Sequence, residues 1–118
     1  MYRKLCKSKI HGVIVTKKNI EYNGSIGIDV KLLNESGIIP NEMVLVVNTN
    51  TGARFETYTI PEKSGSGTVS LRGGAARLGE TGDKLIIISY GYFEDIEIKS
   101  FKPKIIFING KNRIVKNK

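Results

Sequence analysis

Glu21-Tyr22-Asn23-Gly24-Ser25-Ile26-Gly27-Ile28 contains the one peptide bond, Gly24–Ser25, on which the reading of the whole chain turns. A serine hydroxyl sits beside a carbonyl carried by a residue without a Cβ, and such a hydroxyl can attack the peptide bond before it. A fold that strains this bond would let the chain cut itself and build a reactive group from its own backbone. The plain alternative is a polar turn, because Gly-Ser is a common turn dipeptide. The surrounding residues decide between the two.

Outward from that bond, the chain is a series of short β-branched runs punctuated by glycine and asparagine. Ile10–Thr16, Met43–Asn48, Arg54–Ile60, Gly67–Leu71, Lys84–Tyr90 and Lys104–Ile108 are expected strands, each bounded by turn residues. Asn50-Thr51-Gly52 reads as a hairpin turn, as does Asn109-Gly110 before Arg113–Val115. Val44–Val47 and Leu85–Ile88 are apolar without alternation. That pattern fits strands buried on both faces, or a closed barrel whose outside is covered by another subunit. Helix is scarce. Asp29 is an N-cap for a helix ending at Ser36 with Gly37 as its stop, and a second short helical turn is expected from Gly73 to Leu78. Pro61 is placed after a strand, and Pro40 and Pro103 before two others. No linker or repeat divides residues 1–118, so the expectation is a single, mainly β barrel domain with two short helices.

Composition narrows the function classes. The net charge of +8 divides into +5 over residues 1–24, −4 over 25–98 and +7 over 99–118. Positive charge at the two ends is a pattern of solvated termini, not of a groove interleaved with stacking aromatics, so nucleic acid is not an expected partner. Lys111–Lys118 reads as a frayed end. No apolar run reaches the ~20 residues of a membrane span, and the N-terminus lacks the apolar core of a secretory signal. A cytoplasmic protein with no membrane partner is the expectation. The single cysteine, Cys6, and the single histidine, His11, make neither a disulfide nor a metal site.

Polar side chains set apart from surface filler stand next to strands or turns. Lys9 and His11 flank Ile10 and so share one face of a strand. Arg54 offers a planar fork for a carboxylate, Tyr58 a general acid, and Thr57 a hydroxyl for a developing oxyanion. A cross-strand ion pair and an ordinary half-buried tyrosine are the simpler readings of Arg54 and Tyr58. Arg72-Gly73-Gly74-Ala75-Ala76 places two glycines at the opening of a helical turn, where free N–H groups can cradle an anion. The third glycine of a dinucleotide fingerprint is absent.

In combination these pieces resemble the pyruvoyl-dependent aspartate 1-decarboxylase family, over essentially the whole chain. The resemblance rests on Lys9-Ile10-His11, Tyr22-Asn23-Gly24-Ser25, Ile28-Asp29, Gly37-Ile38, Asn41-Glu42, Gly52-Ala53-Arg54-Phe55, Thr57-Tyr58, Gly73, Ala75-Ala76 and Gly82-Asp83, in that order and spacing. It implies a six-stranded double-psi β-barrel assembled as a homotetramer with active sites between subunits. It also implies a zymogen that cleaves autocatalytically after Gly24 into a β chain of residues 1–24 and an α chain of 25–118, and converts Ser25 into a pyruvoyl group. On that group a Schiff base with L-aspartate would lose CO2, and β-alanine would leave for pantothenate biosynthesis. The resemblance gives Thr57 to the oxyanion of processing and Tyr58 to proton donation. Lys9, reaching from a neighbouring subunit, and Arg54 would hold substrate carboxylates, with Thr57 and the backbone of Gly73, Gly74 and Ala75 completing the site. His11 and Tyr22 would line it. Gly24 is expected to carry a tight, strained backbone.

The chain departs from the family at Arg72, where the usual residue is asparagine. Arginine only donates, and brings a charge. It either takes part in substrate or oxyanion binding or swings into solvent and leaves processing slower. Two rival readings remain: a non-enzymatic basic barrel or swapped-hairpin regulator binding nucleic acid, and a family member that has lost processing.

Overall fold

Alternation of β-branched residues builds most of the computed structural model, which describes residues 1–115. In chain order the elements are β1 (Tyr2–Ile14), β2 (Lys17–Asn19), β3 (Ser25–Asp29), α1 (Val30–Ser36), β4 (Met43–Asn48), β5 (Arg54–Glu62) and β6 (Val69–Arg72). A 3-10 turn (Gly73–Arg77), β7 (Lys84–Glu94), α2 (Asp95–Ile98), β8 (Lys104–Ile108) and β9 (Ile114–Val115) follow. β4 and β8 have the bounds that the sequence pattern predicts. The Asp29 carboxylate caps α1 by accepting from Lys31 N at 2.9 Å, and Gly37 ends it in the left-handed region.

Several expectations change. Ser25–Asp29 is a strand, buried at all five positions, although its glycine and polar content conceals it in the sequence. Pro61 lies inside β5, opposite Ile28 of β3, at a point where β4 no longer runs alongside. The short turn expected from Gly73 is a 3-10 helix over Gly73–Arg77, and α2, closed by a reciprocal capping box between Glu94 and Glu97, has no counterpart in the expected helices. The frayed-end reading fails for residues 111–115. Asn112 is buried, and its side chain bonds Ile14 N, Ile14 O and Gly67 O at 2.8–2.9 Å, while Ile114–Val115 pairs with β8. Residues 116–118 lie outside the described residues.

The strands pair in the order β2-β6-β3-β5-β4-β7-β1-β8-β9. β1 and β2 are separated only by Val15 and Thr16, which are themselves bonded: Val15 N to Asp83 O at 2.9 Å and Thr16 N to Val69 O at 2.8 Å. One extended segment therefore stands at both ends of a six-strand run, against β7 through β1 and against β6 through β2. That continuity is consistent with the ring of a double-psi β-barrel, and β8 and β9 attach outside it along β1. The architecture is mainly β.

Inside the ring pack Ile10, Val13, Val15, Ile26, Ile28, Val44, Val46, Val69, Leu71, Leu85 and Ile87, with Leu32, Leu33 and Ile38 of the α1 region sealing it. Burial of this apolar surface, about 25 cal/mol per Å², drives closure. The non-alternating runs now have an explanation. Val44, Val46, Leu85 and Ile87 face the core, whereas Leu45, Val47, Ile86 and Ile88 are paired across β4–β7 on the outside and stay half-buried in the single chain.

Candidate active site

The Gly24–Ser25 bond lies where an exposed turn becomes a buried strand. Residues 20–24 are exposed, and Ser25 is buried at the first position of β3. Its Oγ is 3.5 Å from Asn23 O, too long for a strong hydrogen bond, so the hydroxyl is not tied down there. The close backbone approach falls on Gly73. With φ +63°, Gly73 is pressed against the turn so tightly that a Cβ there would lie 2.5 Å from Tyr22 O and 2.6 Å from Gly24 N. Gly24 itself has room: an added Cβ would meet only Gly74 N at 3.9 Å and Arg72 O at 4.0 Å, and its φ is not positive. The tightness expected of Gly24 is thus supplied by Gly73.

Strand register then places the other side chains. In the parallel β3–β5 pair Ile26 stands opposite Thr59, so Ser25 is level with Tyr58, and both face outward. Thr57, the neighbour of Tyr58 in β5, is buried, and its side chain shares the inner face with Val44. On its other side Ser25 pairs with Arg72 of β6. Arg54 is exposed at the start of β5, about 13 Å from Tyr58 along the strand.

Lys9 and His11 do share the outer face of β1, as their spacing predicts, but that face is remote from Ser25 within one chain. Lys9 stands opposite Ile88 and His11 opposite Ile86; β7, β4 and β5 intervene before β3. The His11 ring packs against Phe107 of β8, centroids 5.5 Å apart. The half-buried apolar residues Leu45, Val47, Ile86 and Ile88 lie between the two groups.

Arg72 does not swing into solvent. Its Nη2 donates to Glu62 Oε2 at 2.7 Å, its Nε to Ser70 Oγ at 3.3 Å, and the guanidinium lies over the Tyr22 ring, 5.0 Å from the centroid. Ser70 Oγ donates to the same Glu62 oxygen at 2.7 Å. A cleft of about 210 Å³ beside this network is lined by Lys17, Lys18, Asn19, Tyr22, Ser70 and Arg72. Glu62 and Ser70 carry no signal in the sequence, since an i, i+8 acid and hydroxyl match no motif. Gly74 is exposed at the head of the 3-10 turn, and Ala75 is buried in the core. Among the described residues no group of three or more His, Cys, Asp or Glu side chains is placed to hold a metal ion, and no helix is long and apolar enough to cross a membrane.

Comparison with known proteins identifies the family. Residues 1–115 match the family model described as aspartate decarboxylase. An aspartate 1-decarboxylase of Carboxydothermus hydrogenoformans is 54% identical over 118 residues, covering 100% of this chain and 93% of that protein. One from Bacillus subtilis is 50% identical over 114 residues (97% and 90%), and one from Campylobacter jejuni 54% over 112 (95% and 88%). Matches of this identity run over nearly the full length of both partners, and the chain belongs to the aspartate decarboxylase family of enzymes.

Proposed function

We propose that the chain decarboxylates L-aspartate at its α-carboxylate, giving β-alanine and CO2, with a pyruvoyl group made from Ser25. The observation that supports this most is the setting of the Gly24–Ser25 bond. An exposed turn meets a buried strand there, level with Tyr58, against a backbone that carries no side chain at Gly73.

Self-cleavage begins when Ser25 Oγ adds to the Gly24 carbonyl carbon. The amide C–N bond breaks as the hydroxyl proton passes to nitrogen, leaving an ester and a free amine at residue 25. Thr57, by the family resemblance, is the donor for the oxyanion. Loss of the Ser25 Cα proton expels the Gly24 carboxylate, and water then replaces the nitrogen at Cα with release of ammonia. One water is consumed and no oxidant is needed. The products are residues 1–24 and 25–118.

Position 25 suits a small ketone, because the wall opposite is backbone alone and departure of the Tyr22–Gly24 turn opens space that no side chain of Gly73 fills. A ketone held there would supply an electrophile for the substrate amino group and a sink for the electron pair left when the carboxylate departs. Tyr58, on the same face as Ser25, holds the proton returned to the substrate α-carbon. Arg54 offers a bidentate grip on one carboxylate, and Thr57 with the backbone of Gly73, Gly74 and Ala75 completes the pocket. Lys9 serves from a neighbouring subunit, since in its own chain it is three intervening strands away. The apolar outer face of β4 and β7 supports packing of further copies, in a homotetramer with sites between subunits. β-Alanine made this way supplies pantothenate biosynthesis.

Intact-protein mass spectrometry tests the reading. The wild-type chain should yield two fragments divided after Gly24, the larger with a blocked N-terminus, and Ser25→Ala should stay whole and release no CO2 from carboxyl-labelled aspartate. Release of CO2 by Ser25→Ala protein would end the pyruvoyl mechanism.

A further inference from the structure

We infer that Arg72 is a positioning residue for self-cleavage: anchored by Glu62 and Ser70, its guanidinium clamps the Tyr22 ring and so fixes the turn that presents the Gly24 carbonyl to Ser25. The inference rests on the self-cleavage reading and adds to it a residue set, Arg72–Glu62–Tyr22.

Three observations carry it. First, Arg72 is not a free cation. The Nη2 edge is occupied by the Glu62 carboxylate at 2.7 Å and Nε by Ser70 Oγ, with the Glu62 side chain only 13% exposed. A guanidinium so paired is poorly suited to grip a substrate carboxylate, which Arg54 on the open outer face can do. Second, the anchored guanidinium lies over the Tyr22 ring, its carbon 5.0 Å from the centroid. Tyr22 is otherwise 56% exposed on a turn, two residues before the scissile carbonyl. Third, a space exists for the anchor. Glu62 Oε2 and Ser70 Oγ lie across Gly27, where a Cβ would collide with both, so the carboxylate sits flat against β3 two residues after Ser25.

The backbone completes the device. Arg72 pairs with Ser25 across β6 and β3, and the next residue, Gly73, abuts Tyr22 O and Gly24 N. Arg72 thus holds the serine side of the bond through the ladder and the glycine side through Tyr22. Attack needs Oγ and the carbonyl carbon about 3–3.5 Å apart in fixed alignment, and a turn free to wander spends less time there. Restricting Tyr22 raises that fraction.

The test follows cleavage of freshly purified precursor by intact mass, reading the rate at which the 25–118 fragment appears. Arg72→Met and Tyr22→Leu should each slow it about 3- to 10-fold, the range a partly exposed cation–π contact supports. Glu62→Gln, which weakens the anchor, should slow it in the same direction. Tyr22→Phe keeps the ring and should cleave within about twofold of wild type. The Arg72→Met/Tyr22→Leu double variant should be no slower than the slower single variant, because both remove one contact. Tyr22→Leu leaves the Arg72–Glu62 pair intact and alters an exposed side chain, so it keeps the test usable if Arg72→Met misfolds. Multiplied effects in the double variant, or Tyr22→Phe as slow as Tyr22→Leu, would overturn the clamp while leaving self-cleavage standing. A wild-type chain that stays whole would overturn the self-cleavage reading, and the clamp with it.

Discussion

Adding one methyl group at Gly73 offers a sharp test of how the scissile turn is held. At φ +63° an L-residue costs about 1–2 kcal/mol of backbone strain. The new Cβ of Gly73→Ala would lie 2.5 Å from Tyr22 O, 2.6 Å from Gly24 N and 2.8 Å from Gly24 Cα, all backbone atoms that cannot rotate away. Restoring ordinary contact distances requires the turn to retreat by roughly 0.5–1 Å. A misplacement of about 1 Å at a reacting centre costs on the order of 10²-fold, so the expected slowing of cleavage is about 10- to 100-fold, equivalent to about 1.4–2.7 kcal/mol of barrier. The assay is a time course of intact mass on purified precursor, with circular dichroism to establish folding. Gly74→Ala is the control, since a Cβ there meets nothing within 4 Å, and it should cleave within about twofold of wild type. A folded Gly73→Ala protein that cleaves as fast as wild type would refute the claim that this close approach sets the geometry of the bond.

Two predictions concern the barrel itself. Asn112→Ala removes three hydrogen bonds of a buried side chain and leaves Ile14 N, Ile14 O and Gly67 O without that partner, for an expected loss of about 3 kcal/mol in urea unfolding at fixed protein concentration. A loss below about 1 kcal/mol would show that β9 and its turn do not secure the barrel. The Asp83 carboxyl is held below the usual carboxylate range, first by the side-chain hydrogen bond from Asn48 and then by the Glu80 backbone N–H, against a smaller opposing effect of desolvation. A depressed folded pKa means that the unfolded chain binds the proton more readily, so this contribution is fully present above the unfolded value of about 3.9 and fades as pH falls through the folded value. Melting temperatures should therefore fall more steeply below about pH 4 for wild type than for Asp83→Asn, and parallel curves would refute the linkage.

Fold class was legible in the sequence because it depends on local patterning. β-Branched runs with turn residues between them gave the bounds of β4 and β8, and Asp29 with Gly37 marked α1. β3 was hidden because its burial comes from neighbours on both sides, β5 and β6, and not from its own composition of two isoleucines among Ser25, Gly27 and Asp29. Asn112 looked like tail for the same reason: its partners, Ile14 and Gly67, are 98 and 45 residues away.

The candidate site divides along the same line. By itself the sequence determined the Gly24–Ser25 bond and the residue types that chemistry there requires, because a nucleophile next to a carbonyl is a property of adjacent residues, and the order of motifs around it marks the family. Only the tertiary structure decided which glycine holds the bond tightly, since the contact of Gly73 with Gly24 joins positions 49 residues apart. It alone separated Lys9 from Ser25 by the width of three strands, and it alone turned Arg72 from an unexplained charge into the partner of Glu62 and Tyr22. Bonds and propensities are local and can be read along a chain; proximity across a closed barrel is set by strand register, and register exists only once the chain has folded.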